Sequence, residues 1–462
     1  MISENQTLWE PAESDLQKAT RLVQSLIRID SSNPPGNETG ILDILLWELQ
    51  SAGITPVVVG AHSDRPNLVA KLAAAPENRT APPLVLSCHM DVVPVANPDA
   101  WKYPPFSGEL AEGCIWGRGA VDMKGFAVMA LTALTVLSRK HVPVNRDVIF
   151  VAVSDEEAGT EFGSKWLVEN RPDLLENPEY VLNEVGGFTI HRGAHRFYPV
   201  QVAEKGVAWL RLTARGQPGH SSMAVSETSL SLIADAICKL SKATLPWHVT
   251  DPAVNFLEGF TRVESKTAQQ VAKLIFSKRA GSSIVKMIPD PAQRATVEAL
   301  LRNTATPTRI DTGGGALNVL PSSASVDIDG RLVPGQTAES LMNEIRKVLG
   351  DKKGEVYSIE IIREAEGVVF PTDTPLFQAI EDVMLDADPD GIVIPSMIPG
   401  FTDSNNYAKL GATCYGFYPL KLDKGLDFAS MFHGDNERIP EAGFHWGIRT
   451  LLELLGRFLV TK

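Results

Sequence analysis

The chain has 462 residues, with 43 Lys+Arg against 56 Asp+Glu and a formal net charge of −13; at 44% hydrophobic and 21% charged it has the make-up of an ordinary folded protein, not of a disordered, collagenous or coiled-coil one. The acid excess argues against a nucleic-acid partner, which requires a basic face to neutralise phosphates. No apolar run reaches about 18 residues, and the N-terminal MISENQTLWEPAESD lacks a basic segment leading into an apolar one, so no membrane partner is expected and a cytoplasmic location is.

In chain order, residues 15–30 and 41–52 place apolar side chains at helical spacing and stop at the turn SSNPPGN and at Gly53. Strands are expected at 55–60, 67–72, 84–88, 147–153 and 179–183, with a helix over 123–138. Strands rich in Val, Ile and Leu that alternate with helices imply a largely parallel sheet covered on both faces. Near residue 206 the pattern changes. Residues 207–215 alternate as a half-exposed strand, a helix is expected at 227–243, and 250–305 reads as irregular and helical. Two short strands around Pro321, a helix at 337–349 and a strand at 355–363 complete an antiparallel α+β unit. A helix at 375–386, a strand at 412–418 and a helix from Pro440 then resume the first pattern. The expected architecture is α/β: one mostly parallel-sheet domain in two parts, 1–205 and 366–462, interrupted by an inserted α+β domain, 206–365.

Open parallel sheets build their sites at the carboxyl ends of strands. Here LVLSC runs into His89 and Asp91, DVIFVAV into Glu156 and Glu157, and VLN into Glu184, while GRGAVDMKG sets Asp122 at a helix start and FHGDNERIP sets His433 in a loop after the last strand. Carboxylates gathered in this way raise one another's pKa and need compensating positive charge. A divalent metal supplies it, and two histidines with carboxylates and no thiolate suit Zn²⁺, or Co²⁺ and Mn²⁺. The four cysteines show no CxxC spacing, and strand alternation turns Cys88 away from the face of His89. The same alternation lets Asp91 hydrogen-bond the far nitrogen of His89 and fix its tautomer. His191 and His195 are four apart, but the glycines around them, Gly186, Gly187 and Gly193, favour a solvated loop over a metal-binding helix.

The strings SCHMDVVP, GRGAVDMKG, DEEAG, NEVGG, GQPGHSS, NVLP with DGRLVPG, and FHGDNER, in that order along nearly the whole chain, resemble the M20 family of metallopeptidases and amidohydrolases. The resemblance implies two Zn²⁺ per subunit: Asp122 bridges them, His89 and Glu184 complete one site, and Glu157 and His433 the other. It implies Glu156 as general base, with Asp91 beside it in the catalytic set, and a cis peptide bond after Asp122. It further implies that the inserted domain is a lid and a homodimer contact. There His220 stabilises the oxyanion, Asn318 lies near the carbonyl, and Arg331 grips a substrate carboxylate. Gly400 and Thr402 in PGFTDSNNY resemble the loop beside the leaving-group pocket. Two departures stand out: Val185 follows Glu184 where relatives carry glycine, and Phe401 replaces a pocket glycine. The implied activity is hydrolysis of the amide bond of small N-acyl amino acids or of short peptides with a free carboxylate, as in aminoacylases and deacylases or in dipeptidases and carboxypeptidases. A non-catalytic binding or scaffold protein on the same fold is the alternative; it should have lost a ligand or the base, and all six residues stand in this chain.

Overall fold

The unbroken apolar runs Leu84–His89 and Val148–Val153 are buried along their whole length, as strands covered on both faces must be. In the computed structural model, which describes residues 8–460 apart from Ala224, Lys278, Gly314 and Asp427, they pair in parallel from Leu84↔Val148 to His89↔Val153. Tyr180–Asn183 joins Leu84–His89 in parallel, and Thr413–Gly416 joins Tyr180–Asn183 in the same sense. These four strands form the centre of the sheet. Antiparallel strands extend it on both sides: Arg65–Leu72 and then Pro56–His62 beyond Val148–Val153, and the strand starting at His195 beyond Thr413–Gly416. The parallel register brings His89, Val153, Asn183 and Gly416 to one edge.

Helix Lys124–Arg139 is buried without a polar stripe from Lys124 to Leu137, the signature of a helix enclosed on all sides. It packs on the two central strands and under helices Glu13–Ile27, Thr39–Ser51 and Glu441–Leu459. Its first residue, Lys124, is itself buried and donates Nζ to the carbonyls of Leu26 and Ile29, where the Glu13–Ile27 helix ends. Removal of its charge from water pulls the Lys124 pKa down to about 7.

The chain divides into two compact units, Met1–Val202 with Phe370–Pro395 and Thr402–Lys462, and Ala203–Val369 with Ser396–Phe401. In the second unit an antiparallel sheet runs Thr304–Asp311, Ser323–Leu332, Gly206–Arg215, Tyr357–Ala365. Strict alternation in Ser323–Leu332 turns Val326 and Ile328 onto Ile233 and Ala236 of helix Ser229–Lys242 and onto Leu341 and Ile345 of helix Ala338–Leu349. Residues 250–305 resolve into helices Asp251–Thr261, Lys266–Lys273, Gly281–Val285 and Pro291–Leu301, and the last closes a small core around Ala253, Leu300 and Leu301.

One reading of the sequence is corrected, and one strand is added to it. His191 and His195 belong to a hairpin, Ile190–Arg192 against His195–Glu204, whose two-residue turn uses Gly193 at φ 62°. The glycines that suggested a loop mark the turn, and the pairing of flanking residues decides the rest. GIVIPSMI, to which no element was assigned, forms a strand, Gly391–Ile398, that contains Pro395.

Candidate metal centre

Where the central strands end, the chain turns toward one point. His89, the last residue of its strand, is 1% exposed. Its Nδ1 donates to the backbone carbonyl of Asp91 at 3.0 Å, with the Asp91 carboxylate at 3.5 Å. The expected tautomer-fixing partner is thus the main chain of Asp91 more than its side chain. This bond leaves Nε2 facing Asp122 Oδ1 at 3.0 Å and Glu184 Oε2 at 3.7 Å. The Asp91 carboxylate serves another purpose: Oδ1 accepts from the Glu156 N–H and Oδ2 from the Glu157 N–H, both at 3.1 Å.

Asp122 precedes helix Lys124–Arg139 across a cis peptide bond to Met123. Its second oxygen, Oδ2, lies 3.3 Å from His433 Nε2, which is 3.2 Å from Glu157 Oε2. The five residues fall into two clusters, His89 with Asp122 and Glu184, and Asp122 with Glu157 and His433, in each of which the ligand atoms lie within 4.8 Å of one another. Asp122 is the shared member. Among the described residues Glu156 belongs to neither cluster.

The electrostatics fit a site built for cations. Burial raises the Glu157 carboxyl to about 7 and that of Glu184 to about 8, in both cases helped by the charge of Asp122. Asp122 is held well below the carboxylate range because the imidazoles of His433 and His89 outweigh its own burial. His433 rises to about 10 through its bonds to Asp122 and Glu157. Burial and the neighbouring Glu184 push Glu156 well up. Glu157 Oε1 is buried with no hydrogen-bond partner among the described residues, an acceptor without a donor. Imidazole nitrogens and carboxylate oxygens at these separations fit two borderline divalent ions with Asp122 between them.

Several supporting residues carried no role in the sequence reading. Glu437 is fully buried, accepts the N–H groups of Val121 and Asp122, and binds Arg118 at 2.7 Å, so it fixes the backbone from which Asp122 projects. The only signal was that Arg118 and Glu437 lie inside two of the quoted strings with opposite charges. Asp403, beside Thr402, accepts a hydrogen bond from Ser164, and burial raises its carboxyl to about 6. Thr402 is buried, its Oγ1 accepting from Ser404 N and Asn183 Nδ2. Val185 adopts φ 61°, a conformation that glycine takes freely and a β-branched residue rarely does.

In the second unit His220 and Asn318 are neighbours. His220 lies on a two-stranded ribbon, Gly219–His220 with Val319–Leu320, and its Nε2 is 3.5 Å from Asn318 Nδ2. Ser222 donates to its other nitrogen. Arg331 is half-buried, with Nε and Nη2 donating to Asp329. Gly400 belongs to this unit as well.

A metal held by these residues would have to displace protons from them. With His433 near 10 and Glu184 near 8, the metal-free site is protonated at pH 7, so uptake of Zn²⁺, Co²⁺ or Mn²⁺ releases protons and affinity rises between pH 6 and 8. Calorimetric titration of chelator-treated protein in two buffers of different ionisation enthalpy measures this directly. Proton uptake, or affinity independent of pH, contradicts the ligand assignment.

The chain is similar to the N-fatty-acyl-amino acid synthase/hydrolase PM20D1 of Xenopus tropicalis, 29% identical over 384 residues that cover 81% of this chain and 72% of that protein. It is 27% identical to the succinyl-diaminopimelate desuccinylase of Methylobacterium radiotolerans over 372 residues, 79% of this chain and 78% of the other. In fold it resembles the M20 family metallo-carboxypeptidase Sso-CP2 from Sulfolobus solfataricus, with a TM-score of 0.69 at 19% identity over 97% and 99% of the two chains. The sequence profile of peptidase family M20/M25/M40 matches residues 85–457, a span that contains every residue of the two metal clusters, and the chain belongs to that family of amide-bond hydrolases.

Proposed function

We propose that the protein hydrolyses N-acyl amino acids or short peptides with a free carboxylate, with Zn²⁺ as the metal at both positions. The observation that carries the reading is the division of Asp122 between two ligand clusters, with Glu156 beside them and outside both. The similar proteins named for N-fatty-acyl amino acids and for succinyl-diaminopimelate favour an acylated amino acid over a peptide. His89, Asp122 and Glu184 would hold one ion, and Asp122, Glu157 and His433 the other; when bound, such ions acidify water and polarise a carbonyl.

Glu156 does the proton transfer in this reading. It takes a proton from the attacking water as the new C–O bond forms, and returns it to the nitrogen as the C–N bond breaks; the second water proton passes from the new carboxyl group to the amine, leaving a carboxylate and an ammonium. Its raised pKa suits a group that must both accept and donate. In the inserted lid domain, His220 and Asn318 would bind the carbonyl oxygen as charge develops on it, His220 acting from the partner subunit of a homodimer. Arg331 would hold the free carboxylate through its guanidinium fork, and Gly400 and Thr402 would border the leaving-group pocket.

A hydrolysis screen across acetylated, long-acylated and dipeptide substrates with Zn²⁺, Co²⁺ and Mn²⁺ tests the substrate class; no turnover of any of them by metal-loaded protein refutes it. Glu156→Gln should lower kcat by roughly 10²–10⁴ with metal content unchanged, whereas loss of metal would make Glu156 a ligand. Arg331→Ala should raise KM about ten- to a hundred-fold for substrates with a free carboxylate, the worth of a charge-assisted pair, and leave amidated analogues nearly unaffected. Equal effects on both remove Arg331 as the anchor. Mixing His220→Ala with Glu156→Gln subunits should restore activity; verified heterodimers that stay inactive exclude a shared site.

A further inference from the structure

The segment SSNPPGN, which the sequence presents as a turn, does more than reverse the chain. Ser31 Oγ donates to Met90 O, Val92 N to Ser31 O, and Asn33 N to Val92 O, so the segment is stitched to the chain as it leaves His89. This places the buried Asn33 amide between two carboxylates. Its Nδ2 donates to Asp91 Oδ2 at 2.8 Å and to Asp155 Oδ1 at 3.0 Å. Arg65, the first residue of its strand, closes the other side. Its Nη2 donates to Asp155 Oδ1 at 2.9 Å and its Nη1 to Pro35 O at 3.1 Å, and its Nε lies 3.1 Å from Glu38 Oε2. Gly36, at φ 79°, lets the segment pass over the guanidinium: a Cβ there would run into Arg65 Cζ.

Both carboxylates that Asn33 joins control the turn carrying Glu156. Asp155 sits immediately before it with φ 64°, a left-handed conformation that its side chain secures through Asn33, Arg65 and the Phe162 N–H. Asp91 takes the Glu156 and Glu157 N–H groups from the opposite side. Without the Asn33 amide, two buried carboxylates would face each other across the gap with nothing to hold them together. A pair needed only for packing would be complete with Arg65 between Glu38 and Asp155; Asn33 instead ties the loop after one central strand to the loop after the next.

We propose that Asn33 and Arg65 are positioning residues that fix the 155–157 turn and so aim Glu156. The proposal rests on the assignment of proton transfer to Glu156. In metal-loaded protein, Asn33→Ala should lower kcat about ten- to a hundred-fold, the cost of a displacement of about 1 Å in a reacting group. KM should stay within about two-fold and metal content at the wild-type level. Hydrogen–deuterium exchange should quicken in peptides spanning 155–163 and stay unchanged in helix Lys124–Arg139. Arg65→Lys, which keeps the charge without the fork, should show the same pattern more weakly, and it decides the matter if Asn33→Ala does not fold. A kcat within two-fold of wild type, loss of metal in step with kcat, or exchange that quickens throughout the chain overturns the proposal. Should Glu156→Gln retain full turnover, the role of Glu156 falls, yet the exchange measurement still reports whether Asn33 and Arg65 fix the turn; unchanged exchange at 155–163 refutes that by itself.

Discussion

Asp122, Glu157 and Glu184 lie close enough to share ions, with His89 and His433 between them, and most of this cluster is withdrawn from water. Like charges so placed cannot persist unless positive charge enters with them. Much of the surrounding structure answers this constraint. Hydrogen bonds from the main chain hold the acids from behind: Asp91 receives two N–H groups, and Glu437 fixes the Asp122 backbone while Arg118 neutralises it. The site keeps its shape through these bonds, and the pKa directions at Glu157, Glu184 and His433 describe a cluster poised to exchange protons for cations.

The parallel centre of the sheet makes such a gathering possible. Parallel strands all end on the same side, so His89, Glu156, Glu157 and Glu184 arrive together from segments far apart in sequence. An antiparallel arrangement would send alternate strand ends to opposite edges. The antiparallel strands of this sheet lie outside the four that carry the site.

This geometry also explains what could be read in the sequence. His89, Glu157 and Glu184 lie at or just past the end of a buried strand and Asp122 just before a buried helix, and a charge at the end of an unbroken apolar run is visible without any coordinates; His433, in a loop well past Thr413–Gly416, has only its motif to mark it. Asn33 and Arg65 have no such local mark. Asn33 lies 58 residues before Asp91 and 122 before Asp155, and only the folded chain shows that its amide bridges them. Glu437 stood in a quoted string, yet its purpose depends on Val121 and Asp122, more than three hundred residues earlier. The hairpin at Gly193 escaped for a different reason: the same glycine marks a loop or a tight turn, and pairing of the flanking residues, which is tertiary, decides between them. Periodicity gave several elements of the second unit, because half-exposed strands alternate cleanly, as in Ser323–Leu332, but it missed the edge strand Thr304–Asp311, which is mostly exposed and carries Pro307.

The net charge of −13 takes on a different meaning once the site is known. A share of that excess is structural: Asp91, Asp155, Asp403 and Glu437 are buried around the centre, and Asp122, Glu157 and Glu184 belong to the clusters proposed to hold metal. Two divalent ions would bring the formal charge to about −9. The acidity is therefore no argument for a cationic substrate. The group proposed to meet the substrate's own charge is Arg331, and in the free protein it is already turned to Asp329. A substrate carboxylate must compete with that neighbour, so selection at Arg331 depends on the difference between two ion pairs rather than on one alone.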